Sequence, residues 1–227
     1  EYYTFIKEHA EVSDEFLLDY SAALFACNRK DEAFVILKGI EENIWKYDGK
    51  TADSILFNMG VHYIAKGDFK SGIEHLSIGR NLDVFGSYCK ITDGLPMWDG
   101  KPKPGKRILF ASEGGIGDEI INVRFVNKVH DMGMKCSIMS SHNVLSIYDH
   151  LPFVKKISQK QYRKSDYDYW TPMMSLPKTL DLDVDELWQG PYLQAKEEYI
   201  NKHKLDGDFK VGLRWAGNPR YDHELHR

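Results

Sequence analysis

The apolar run Lys106-Arg107-Ile108-Leu109-Phe110-Ala111-Ser112 is followed by Glu113-Gly114-Gly115-Ile116-Gly117-Asp118-Glu119, and a helical pattern opens near Asp118. A buried strand that feeds a helix through a glycine-rich turn belongs to α/β domains with a mainly parallel sheet, whose ligands collect at the carboxyl ends of the strands. The two carboxylates at the helix start argue against a phosphate cradle, because an anion there would meet like charge instead of free amides. Asp118 therefore reads either as a helix cap or as a chemical group.

The rest of the chain divides around this turn. Strand-like runs recur near 107–112, 135–140, 154–158, 167–172 and 210–215, with helical runs at 118–132, 143–150 and 195–204 between them. Alternation of this kind implies a parallel sheet with helices on both faces. The stretch 93–105 is dense in proline, glycine and aspartate and cannot carry a helix or strand, so it reads as a linker, with Trp98 pinned against a domain surface. Before about Leu82 the pattern is helical. There Leu56, Met59, Gly60, Tyr63, Gly67, Phe69, Gly72, Leu76 and Gly79 fall in phase, and Leu17, Tyr20, Ser21, Leu24, Asn28, Ala33, Leu37 and Ile40 repeat the pattern one unit earlier. These positions resemble tetratricopeptide repeats, whose small residues let antiparallel helices approach closely. The resemblance implies a module that binds a protein partner or self-associates. The expected fold class is α + α/β: tetratricopeptide-like helical hairpins over residues 1–92, a linker over 93–106, and a Rossmann-like domain over 107–227.

Composition narrows the partners. A formal net charge of −4 supplies no basic field for nucleic acid or an anionic membrane surface. No run approaches the roughly 18 apolar residues of a membrane span, and the first residues lack a secretion-signal layout. The three cysteines, Cys27, Cys89 and Cys136, show no metal-ligand spacing and read as small core residues in a reducing, cytoplasmic setting. The chain begins without Met and stops just after a strand-like run, which suggests a piece of a longer protein.

Residues around the glycine turn separate its possible chemistries. A Walker A loop requires Gly-Lys-Ser/Thr, where this chain has Asp118 and Glu119. A nicotinamide site requires a third small residue and an acid after the second strand, where Ile120 and Ser140-Ser141-His142 stand. A methyltransferase loop tolerates the glycines but wants the same acid. Gly-Gly-Ile-Gly-Asp, with Leu151-Pro152, Tyr167-Asp168-Tyr169, Met174-Ser175-Leu176-Pro177, Pro191-Tyr192-Leu193 and Val211 to Arg220, resembles the heptosyltransferase-like (family 9) glycosyltransferases of GT-B fold, in particular those fused to tetratricopeptide repeats.

The resemblance covers about 98–227. It implies that Asp118 is the base for inverting transfer of a sugar from a nucleotide sugar to a hydroxyl acceptor, with Gly114, Gly115 and Gly117 giving the acceptor room. His142 follows the second strand, where an acceptor could touch it. Asn218 and Arg220 match the start of the donor lobe and would meet the diphosphate. No metal or other cofactor is implied. Only about one strand of that donor lobe is present, so the chain alone lacks a complete donor site. A noncatalytic assembly or adaptor protein with a degenerate glycosyltransferase-like domain is the alternative. Glu119 reads as a solvated first-turn acid. Asp222, His223 and His226 read as tail residues, and Tyr162-Arg163-Lys164 as the approach to a strand.

Overall fold

The computed structural model describes residues 12–82, 92–140, 145–188, 190–202 and 204. The chain forms two compact units, Glu1–Tyr192 and Leu193–Arg227. Described residues of the second unit include one short helix, Glu197–Lys202, which is exposed on all sides. The run at 210–215 lies outside the described residues.

The first unit opens with helices α1 (Asp14–Ala26), α2 (Lys30–Glu41), α3 (Gly49–Ala65) and α4 (Phe69–Leu76), packed as two successive hairpins. Three of the four starts are set by short polar side chains. Ser13 accepts from the Phe16 amide, Asp48 from those of Lys50 and Thr51, and Asp68 from that of Ser71. Leu37, Ile40, Ile55 and Met59 form a buried core across α2 and α3, and Tyr20, Leu24 and Ala33 form another across α1 and α2. A polar cluster ties α2, α3 and α4. Glu41 accepts from Lys38 (2.6 Å) and Tyr63 (3.3 Å) and lies 2.9 Å from His75 Nε2. Burial would push the Glu41 carboxyl up, but the bonds from Lys38 and His75 prevail and hold it below its ordinary value.

Small residues at the α3–α4 crossing explain how closely those helices approach. A methyl group on Gly60 would lie 2.7 Å from the Leu76 nitrogen, and one on Gly72 would meet Ile64 at 2.6 Å. Gly60→Ala is therefore expected to destabilise the protein by about 1–3 kcal/mol through overpacking. Gly39, exposed on α2 with nothing within 4 Å of its Cβ position, supplies the contrast. Gly39→Ala is expected to stabilise by about 0.5–1 kcal/mol through helix propensity alone. Urea denaturation midpoints check both signs.

The α/β part contains β1 (Arg107–Ala111), α5 (Ile116–Val123), α6 (Val126–Asp131), β2 (Lys135–Met139), β3 (Lys155–Ile157), β4 (Tyr169–Pro172) and a single helical turn, α7 (Leu176–Thr179). The sheet is parallel throughout, in the order β3-β2-β1-β4. The helical run expected over 118–132 is broken at Arg124-Phe125 into α5 and α6, and the one expected over 143–150 is a 3-10 helix, Leu145–His150, in its described part.

Leu109, Ala111, Met139, Ile157 and Trp170 share one face and cluster with Leu95, Tyr167 and Tyr162, which come from the 93–105 stretch and the β3–β4 connection. That connection holds two 3-10 turns, and its tyrosine rings pack on this face. The 93–105 stretch is held against β4. The Trp98 amide donates to Trp170 O (2.8 Å), the Trp170 amide to Pro96 O (3.0 Å), and the Trp98 indole to Lys101 O (2.8 Å). Of the cysteines, Cys136 is buried, Cys27 is exposed against the core reading, and Cys89 lies outside the described residues.

Candidate functional site

From β1 the chain moves outward through β2 to β3, then returns to lay β4 on the other side of β1. The carboxyl ends of β1 and β4 therefore flank the point where strand order reverses, the usual place for a ligand crevice in an open α/β sheet. Two turns meet there: 113–118 after β1, and the 3-10 turn Met173–Ser175 after β4, against which α5 packs.

Within the first turn Gly114 has φ +67°, a left-handed conformation that glycine adopts without strain. It also leaves space for Asp118, since a Cβ at Gly114 would lie 2.6 Å from Asp118 Oδ2. That oxygen accepts from the amide of Gly115, the N-cap residue, at 2.7 Å. Asp118 thus occupies the third helical position and reaches back to the cap, as in one half of a capping box. Oδ1 accepts no hydrogen bond among the described residues, and the side chain is half-buried. Gly115 and Gly117 are exposed, and the space beside Gly117 is empty within 4 Å. The turn therefore holds a carboxylate by one oxygen beside open backbone.

The neighbouring acids behave differently from each other and from the sequence reading. Glu119 is not solvated but wholly buried, because α5 turns it to the same side as Asn122 and Val123. Its Oε1 accepts from the Tyr148 hydroxyl, and its Oε2 has no partner among the described residues. Burial and this bond push the Tyr148 phenol far above its ordinary value, so it stays a donor. Glu113 is held by Arg80, from the 3-10 turn Ser77–Arg80 that follows α4. Two parallel bonds of 2.7 Å join the guanidinium to its carboxylate, whose side chain is 1% exposed.

Arg124, at the break between α5 and α6, is clamped by the returning chain. It donates to Leu187 O (3.2 Å), lies 4.5 Å from the centroid of the Tyr192 ring, and faces Trp188 at 5.8 Å. Tyr192 in turn donates to Ile120 O at 2.9 Å. Sequence reading missed Arg80, Arg124 and Tyr148. Each acts on a partner 29 or more residues away, and no local spacing announces such a pair. Glu119 did carry a signal, since positions 119, 122, 123 and 126 line one helical stripe of otherwise mostly uncharged residues.

Of the expected site residues, the turn brings together Gly114, Gly115, Gly117 and Asp118. His142, Asn218 and Arg220 lie outside the described residues, as do Asp222, His223 and His226. Among the described residues no group of three or more His, Cys, Asp or Glu could hold a metal ion, and no helix is long and apolar enough to cross a membrane. No protein-family model, no curated protein and no solved structure matches the chain.

Proposed function

We propose that this chain is the acceptor-side part of an inverting, nucleotide-sugar-dependent glycosyltransferase related to the heptosyltransferase-like enzymes, joined to tetratricopeptide-like hairpins. One observation carries the reading. At the strand-order reversal, Asp118 is anchored through Oδ2 to the Gly115 amide while Oδ1 accepts no hydrogen bond among the described residues. A general base needs this division of labour, with one oxygen fixing orientation and the other within reach of the proton to be removed.

In the proposed step the acceptor oxygen attacks the anomeric carbon and its proton passes to Asp118 Oδ1. The bond from that carbon to the diphosphate breaks, and the nucleoside diphosphate leaves with the electron pair. A carboxylate is a weak base, but a hydroxyl already bonding to an oxocarbenium-like carbon is strongly acidified, so a weak base suffices. Asn218 and Arg220 are assigned to the diphosphate, and Gly114, Gly115, Gly117 and His142 to the acceptor.

The adaptor reading has its own support, because Glu113 of the same turn is committed to Arg80 and so joins the hairpins to the sheet edge. The two separate in an assay of nucleoside diphosphate release from a panel of nucleotide sugars, with and without hydroxyl acceptors, run on the full-length form that carries the complete donor lobe. Acceptor-dependent release from at least one donor is expected. Its absence with every donor and acceptor would overturn the enzyme reading and leave the adaptor.

A further inference from the structure

We propose that a second site, at the amino edge of the sheet and away from the glycine turn, binds a small phosphorylated sugar or polyol. A cleft of about 620 Å³ opens there, within the range of small-molecule sites. Its floor is set by the strand starts. Arg107 and Lys135, the first residues of β1 and β2, are direct partners across the ladder, and Lys155, the first residue of β3, stands opposite Ser137. Because side chains alternate along a strand, Lys135 and Ser137 share a face. The register therefore sets three cations on one face of three consecutive strands.

These cations are not equally engaged. The Arg107 guanidinium is occupied by Asp168 (3.3 Å) and Ser165 O (3.3 Å), and Asp168 also holds Lys106. Lys135 and Lys155 form no ion pair among the described residues, and both line the cleft. Two ammonium groups held beside Arg107 repel one another, and a multiply charged anion between them would reverse the sign of that interaction. Phosphate supplies such an anion.

The walls specify the remainder of the ligand. The lining includes Phe153, whose ring stacks on His130 with centroids 3.9 Å apart, and the buried Tyr167. These aromatic side chains give the cleft an apolar lining suited to the carbon body of a sugar or polyol. Asp166 also lines the cleft, and its carboxylate can only accept a hydrogen bond. A bare anion would be repelled by Asp166, whereas a molecule with hydroxyl groups some distance from its phosphate satisfies both ends. A phosphorylated sugar has that arrangement.

Calorimetric titration of the full chain with glucose 6-phosphate, inorganic phosphate and glucose tests this. Glucose 6-phosphate is expected to bind with Kd of about 1 mM or tighter, phosphate at least about tenfold more weakly, and glucose not measurably. The double variant Lys135→Ala, Lys155→Ala is expected to lose at least about tenfold in affinity with no fall in its urea midpoint, since both side chains are exposed and form no ion pair among the described residues. Three results would each overturn the proposal: no binding of glucose 6-phosphate at about 10 mM, phosphate binding as tightly as the sugar phosphate, or equal affinity in the double variant. The readout is direct binding and does not involve Asp118, so its failure is distinct from failure of the transferase reading.

Discussion

Arg80→Ala is expected to destabilise the protein by about 3–5 kcal/mol, because it strips a buried carboxylate of its guanidinium. Glu113 is 1% exposed and Arg80 17% exposed, so solvent cannot replace the two lost 2.7 Å bonds. The fork geometry matters as well as the charge, so Arg80→Lys, with a single point contact, should recover only part of the loss. The double variant Arg80→Met, Glu113→Leu should recover most of it, because removing both charges removes the desolvation cost that the pair offsets. Urea denaturation of the four chains measures these values. An Arg80→Ala midpoint equal to wild type would mean that the pair does not hold the hairpins to the turn.

Tyr148→Phe should cost about 3 kcal/mol, although it removes one oxygen atom and leaves the packing intact. The phenol is the single hydrogen-bond partner of the Glu119 carboxylate among the described residues, and the Glu119 side chain has no access to solvent. Without it, both carboxylate oxygens would be buried with nothing to receive. Glu119→Gln retains an acceptor for Tyr148 and discards the buried charge, so it is expected to be neutral or mildly stabilising. Thermal denaturation of the two variants separates them. A large loss in Glu119→Gln together with a small one in Tyr148→Phe would contradict the assignment of the Tyr148–Glu119 bond.

Most of the sheet was legible in the sequence. The runs at 107–112, 135–140, 154–158 and 167–172 each contain an observed strand, because short apolar runs bounded by polar or turn-forming residues leave a buried strand as the economical reading. The hairpins were legible for a similar reason. Gly60 and Gly72 recur where helices cross, and the crossing is tight enough to need them.

What could not be read was decided by distant partners. Nothing near Arg124-Phe125 breaks a helix by propensity, and the clamp that holds Arg124 comes from residues 187–192. The β3–β4 connection, residues 158–168, lacks a helical period, and its tyrosines pack on one sheet face through contacts that no local spacing announces. Asp118 was legible as either cap or base, and the structure shows the cap: Oδ2 accepts from the Gly115 amide, while Oδ1 accepts no hydrogen bond among the described residues.

Those two roles part in Asp118→Asn. The asparagine carbonyl can still accept from the Gly115 amide, so the cap, the turn and the urea midpoint should be kept, while the group that takes the acceptor proton is gone. In acceptor-dependent sugar transfer by the full-length form with its donor lobe, measured beside wild type, kcat is expected to fall about 100-fold or more with the fold unchanged. An Asp118→Asn protein that turns over at the wild-type rate would contradict the role given to Asp118.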